Sequence, residues 1–111
     1  MAGERFARRY ACHRLLCPSG DEWTMPTVTL DGAGRVVAVA PLQGEEAGTM
    51  WTGGVCVLLP EGVEPHRGET LRSVLERARN CDRHATQYLW HPVGMPADIL
   101  LDFPVNLWER L

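Results

Sequence analysis

The sequence predicts a small α+β domain that is mainly β, a β-sandwich or partly open barrel of about five or six strands with one amphipathic helix. Three observations carry this expectation. Residues 27–42, "TVTLDGAGRVVAVAPL", place two apolar-rich arms around an Asp-Gly turn. Residues 55–59, "VCVLL", form a β-branched run that is apolar throughout, as expected for a strand covered on both faces. Over residues 68–80 the period changes: Leu71, Val74, Leu75 and Ala78 fall at i, i+3, i+4 and i+7, on one helical face.

The elements follow in chain order. Residues 8–17, "RRYACHRLLC", have no helical stripe and read as one strand, with "PSGDE" turning the chain after it. In the hairpin, Val28 and Leu30 alternate with Thr27 and Thr29, and Val37 and Val39 alternate in the returning arm. The two glycines of "DGAG" supply positive φ between them. Residues 43–49 read as an exposed loop, and Gly53-Gly54 break the chain before the apolar run at 55. In the helix, Arg72 and Glu76, and Glu76 and Arg79, are spaced to interact, and Asn80 is a suitable end. One apolar helical face needs one surface to sit on, and a sheet supplies it. Two further strands are expected in "TQYLWHPV" and "ADILLDFPV", the second built on the apolar run 99–101. Pro92, Pro96 and Pro104 hold them to edges or strand ends.

The totals exclude several classes. At 111 residues the chain fits a single domain, 1–111. The formal net charge of −3 gives no general attraction to nucleic acid. Arg5, Arg8, Arg9 and Arg14 form a basic run too local to change that. No apolar run reaches the roughly 20 residues of a membrane span, and "MAGERFARRYACHR" has no apolar signal core. A cytoplasmic setting is therefore expected, in which Cys12, Cys17, Cys56 and Cys81 stay reduced.

The order of these pieces resembles the small composite β-sandwich of metal-dependent amidohydrolases, which is built from both ends of the chain around a catalytic barrel. "TVTLDGAGRVVAVAPL" resembles its Asp-Gly hairpin, "GGVCVLLPEGV" the strand that leads to the barrel, and "VGMPADILLDF" the hairpin that follows the last barrel helix. The last match keeps Gly94, Pro96, Ala97, Asp98 and Asp102. The resemblance implies that "LLPEGVEPHRGET" occupies the place of the first metal motif. His66 would stand at its first histidine and Glu64 near the acidic position before it, but Gly68 takes the place of the second histidine. Only about 25 residues separate His66 from the second hairpin, whereas a (β/α)₈ barrel takes around 250. The resemblance thus implies a free-standing counterpart of the composite domain, without the barrel or its remaining metal ligands.

Other chemistry is weighed residue by residue. Cys12, His13 and Cys17 form a C-H-x3-C cluster, to which Cys81, His66, His84 or His91 would have to add ligands. In a straight strand Cys12 and His13 face oppositely, and so do Cys12 and Cys17. A Cys/His nucleophile pair carries no family signature here. There is no phosphate loop, and the chain has no lysine at all. Asp98 and Asp102 flank an apolar strand and suit strand-end and turn roles. Trp23, Trp51, Trp90 and Trp108 suit core and rim packing. The tail "FPVNLWERL" is the candidate interaction surface, through Phe103, Leu107, Trp108 and Leu111, with Val105 beside them.

The resulting expectation is a non-catalytic binding or assembly module, with no catalytic, cofactor or metal residues assigned. Its partner would be an unidentified protein or a second copy of the chain in a homodimer, with no nucleic acid and no membrane. The alternative is a small metal-binding protein or enzyme built on the Cys/His cluster.

Overall fold

A computed structural model describes residues 8–44, 48–81, 84–95 and 101–111. The expected positions Arg5, Pro96, Ala97 and Asp98, and most of the apolar run 99–101, lie outside these residues. The chain runs β1 (Arg8–Ala11), β2 (Arg14–Leu16), β3 (Glu22–Thr24), β4 (Pro26–Leu30), β5 (Val36–Pro41), β6 (Thr49–Trp51) and β7 (Val55–Pro60). It continues with β8 (Glu69–Thr70), α1 (Leu71–Arg79), β9 (Gln87–Pro92), β10 (Pro104–Val105) and β11 (Trp108–Arg110).

The strands make a four-stranded sheet in the order β5-β4-β1-β6, a five-stranded sheet in the order β11-β9-β7-β2-β3, and a short ribbon of β8 with β10. This is the predicted mainly β class with one helix. The strand segments outnumber the expected five or six because the chain folds sharply along one line. β1 passes into β2 at Cys12-His13, β3 into β4 at Met25, and β6 into β7 at residues 52–54. Counted through that crease, the two sheets hold six runs: β1-β2, β3-β4, β5, β6-β7, β9 and β11. The crease runs through adjacent strands, since β1 pairs with β4 and β6 while β2 pairs with β3 and β7. Its backbone is satisfied by cross-strand bonds: His13 N–H to Gly54 O at 2.9 Å, Met25 N–H to His13 O at 2.8 Å, and Thr52 N–H to Ala11 O at 2.9 Å. Met25 adopts φ +53°, the one described non-glycine residue with positive φ, a conformation that strains an L side chain. An antiparallel bridge from Arg35 to Tyr88 joins the start of β5 to β9, so the sheets also meet there and partly close a barrel.

Side-chain alternation divides the core in two. Tyr10, Cys12, Leu15, Val28, Leu30, Cys56, Leu58 and Leu89 fill the space between the sheets. Leu16, Val55, Val57 and Leu59 pack on the other face of the five-stranded sheet against Leu71, Val74, Leu75 and Ala78 of α1, the four positions predicted from helical period. β7 is buried at all six positions, as its unbroken apolarity requires. Each such Leu or Val contributes about 1.5–3 kcal/mol on burial.

Several expectations are corrected. The hairpin forms as β4–β5, with Asp31 Oδ1 accepting from Ala33 N–H and Arg35 N–H, both at 2.9 Å, and Gly34 at φ +86°. A register shift at Thr29/Leu30 moves the returning arm by one position, so Val36 and Val39 face the core while Val37 points out, 58% exposed. Cys12 and Cys17 were expected on opposite faces, yet both pack against the core between the sheets, because the crease reverses the alternation. Arg72 pairs with Asp102 at 2.7 Å while also feeling the charge of Glu76, and Arg79 donates to Pro18 O at 3.2 Å. Leu101 lies in a turn before β10, not in a strand. The C-terminal tail ends as β11, paired antiparallel to β9.

Candidate functional site

The segment "LLPEGVEPHRGET" builds the start of the helix. Thr70 caps α1 by accepting from Ser73 N–H at 3.1 Å. Glu69 accepts from His66 N–H at 2.9 Å, Ser73 Oγ at 2.8 Å, Arg77 Nη2 at 2.7 Å and Arg77 Nε at 2.9 Å. The Arg77 guanidinium holds the Glu69 carboxyl down to about 2. Arg77 also donates to Glu64 O at 2.7 Å. His66 points to solvent with Nδ1 3.7 Å from Glu69, and Gly68 takes φ +84°. These residues perform the work of a helix start.

The C-H-x3-C cluster does not assemble. Cys12 lies in the core; His13 is exposed, where Nδ1 accepts from Gly54 N–H at 2.9 Å and the ring meets Trp51 edge-on at 4.8 Å. Cys17 lies in a cleft of about 630 Å³ at the end of α1, which it lines with Cys81, Leu58, Ala78, Arg79 and Gln87. Burial pushes the Cys17 thiol up to about 11. His84 is exposed. Among the described residues no three Cys, His, Asp or Glu side chains converge on a point that could hold a cation.

The crease instead brings together Cys12, Cys56, Thr52 and His91. Register explains the Cys56–His91 contact: β7 and β9 pair Val57 with Trp90, and the next step brings Cys56 opposite His91. His91 Nδ1 lies 3.1 Å from Val55 O; a carbonyl only accepts, so this nitrogen carries the proton. Thr52 Oγ1 lies 3.4 Å from Cys56 Sγ and 3.3 Å from Ala11 O. Cys12 Sγ donates to Arg14 O at 3.3 Å. Cys12 holds the Cys56 pKa down, with help from His91 and Thr52 and against burial. Cys56, with burial, pushes Cys12 up. Cys56 in turn raises the pKa of His91, against desolvation. Cys12 and Cys56 are free thiols, 1% and 0% exposed.

Sequence reasoning named Cys12 and His91 as candidates for one Cys/His cluster but passed over Cys56, which looks like a small hydrophobe inside an apolar strand. Only the strand register and the crease reveal the group.

The apolar surface divides differently from the prediction. Trp108 and Leu111 are half-buried and pack against the two cores, the indole Nε1 of Trp108 without a hydrogen-bond partner among the described residues. Phe103 and Leu107 point outward, 43% and 59% exposed, while Val105 is buried. Trp23 and Trp90 pack against the cores, and Trp51 is 51% exposed on β6. Among the described residues the longest edge strand is β5, whose six residues are all exposed or half-buried and none of which is charged.

No family model, no curated protein and no solved structure matches this chain.

Proposed function

We propose that this protein is a non-catalytic assembly module that pairs with a second copy of itself along β5. The observation that carries this reading is the uncharged, exposed edge strand Val36–Pro41. Exposed edges are normally blunted by charge. Here the start of β5 is tied to β9 by the Arg35–Tyr88 bridge and its end is Pro41, leaving Val37 to Ala40 open for pairing. Antiparallel pairing of a strand with its own copy is isologous, so one apolar patch supplies both halves of the interface. Phe103 and Leu107 form a smaller outward surface at the C-terminal end.

The likeness to the amidohydrolase composite domain belongs to this reading. It is supported by the β4–β5 hairpin, by β7 ending at Leu59-Pro60, and by a helix preceding residues 93–103. A cytoplasmic setting suits four thiols that form no disulfide.

Native mass spectrometry at tens of micromolar tests the proposal. The expected species is a dimer of the 12.4 kDa chain, returned to monomer by Val37→Lys. A monomeric wild-type protein at that concentration would overturn it.

The second reading, a small thiol enzyme, is favoured by the strand register that sets Cys56 opposite His91. Against it, Cys56 is fully buried, and the cleft at the end of α1 is lined by Cys17 instead.

A further inference from the structure

The cleft at the end of α1 has the size of a small-molecule site: about 630 Å³, inside the roughly 300–1,000 Å³ typical of such sites. β2 runs out at Leu16 and α1 at Arg79. Cys17 and Cys81 follow them and line the cleft, with Leu58, Pro60 and Ala78 supplying most of its apolar wall. Two polar side chains in this wall have bonding capacity to spare. Arg79 uses Nε on Pro18 O at 3.2 Å, and neither of its Nη groups has a hydrogen-bond partner among the described residues. Gln87 donates from Nε2 to Ala85 O at 3.2 Å, which sets the orientation of its amide. Its Oε1 is then buried with no partner among the described residues, an unfavourable state for an amide oxygen. The last carbonyls of α1 do not compete for Arg79. Arg77 O accepts from Asn80 N–H at 3.3 Å, and Ala78 O accepts from Cys81 N–H at 3.1 Å.

Charge selects this cleft over its neighbour. Arg79 and Cys17 also border a second cleft of about 510 Å³, but Asp21 and Glu22 line that one and repel an anion. None of the described residues lining the first cleft is acidic. Burial pushes the Cys17 thiol up to about 11, so it adds no negative charge there at neutral pH.

We propose that the cleft binds a small apolar carboxylate that also carries an N–H donor, the chemistry of an N-acylated amino acid. The carboxylate accepts from the Nη groups of Arg79, the N–H donates to Gln87 Oε1, and the apolar side chain lies against Leu58, Pro60 and Ala78. The terminal torsion of a glutamine is soft, so Oε1 can turn toward a donor in the cleft. The proposal does not depend on the β5 edge, and self-association and ligand binding are read separately.

The test titrates isotope-labelled wild-type protein with N-acetylleucine and follows the amide chemical shifts. The expected result is saturable binding with a dissociation constant of about 1 mM or tighter, with shifts concentrated at Ser19, Arg79, Cys81 and Gln87. No binding by about 10 mM, or shifts concentrated along β5 or β11, would overturn the proposal. N-acetylleucinamide lacks the charge and should bind about tenfold more weakly; equal affinity counts against the anion contact. Arg79 is exposed, so Arg79→Gln should fold normally. It should weaken N-acetylleucine about tenfold and leave N-acetylleucinamide unchanged. A variant that binds both probes as wild type does would refute the role of Arg79. The ester analogue, with oxygen in place of the N–H, should bind about threefold more weakly than N-acetylleucine, and Gln87→Met should abolish that difference. A difference that persists in Gln87→Met would refute the role of Gln87.

Discussion

The two sheets are made of similar residues but live in different surroundings. The five-stranded sheet is the middle layer: β7 contributes Val55, Val57 and Leu59 to the helix side and Cys56 and Leu58 to the other. The four-stranded sheet is an outer layer. Its β4 buries Val28 and Leu30, while the neighbouring β5 exposes Val37 and Ala38. Both β5 and β7 are apolar, uncharged six-residue strands that end in proline. Composition therefore makes a strand, and position in the stack decides whether that strand is core or surface. The outer layer is where an apolar strand becomes available to a partner.

Substitutions at equivalent depth should break this comparison most clearly. Leu59→Ala removes a fully buried side chain from the middle layer and is expected to lower stability by about 3 kcal/mol, measured by urea unfolding. Next comes Glu69→Gln, which weakens the bond network that ties the start of α1 to the loop before it. The expected loss is about 2 kcal/mol, moderated because Arg77 is partly in water. Its pH dependence has a defined sign. The folded-state carboxyl titrates near 2, below its ordinary value of 4.5. Its contribution is thus complete above about pH 4.5 and is lost as pH falls toward 2. The Gln variant should show a shallower loss of stability across that acid window than wild type.

Thr70→Ala removes the cap of α1 and should cost about 1 kcal/mol, read from the thermal midpoint. The smallest effect belongs to the outer layer. Val37→Lys should change monomer stability by no more than about 0.5 kcal/mol while shifting the association equilibrium. A large loss of stability from this variant would mean that β5 is covered within the monomer, and the contrast between the layers would fail.

Legibility followed the same division. α1 and β7 could be read because each advertises its environment over its whole length: one apolar stripe at Leu71, Val74, Leu75 and Ala78, and one unbroken apolar run from Val55. The hairpin was legible as a hairpin, since Asp31 and Gly34 carry the turn chemistry. The facing of Val37 was not, because a one-residue register shift leaves no mark in composition. The crease was the largest omission. Gly53 and Gly54 signalled a break, but Met25 reaches positive φ without being glycine, and Cys12-His13 carries no breaker at all. β3 and β6, three residues each, are too short to show a period. The shared core of Cys12 and Cys56 inherits that omission, since it exists only once the strands are folded at the crease. Trp108 and Leu111 looked like an unattached apolar tail because the vacancy they fill, the edge of β9, is a property of the assembled sheet.

Three runs of chain cross the crease, and each is shared between the layers. The molecule therefore has no seam. Any cut that parts the outer sheet from the middle one severs β1 from β2, β3 from β4 and β6 from β7, and strips Leu15, Val28, Leu30 and Leu58 of their partners at once. Amides in β4 and β7 should accordingly exchange through the same opening event. A chain threaded three times through both layers cannot be halved.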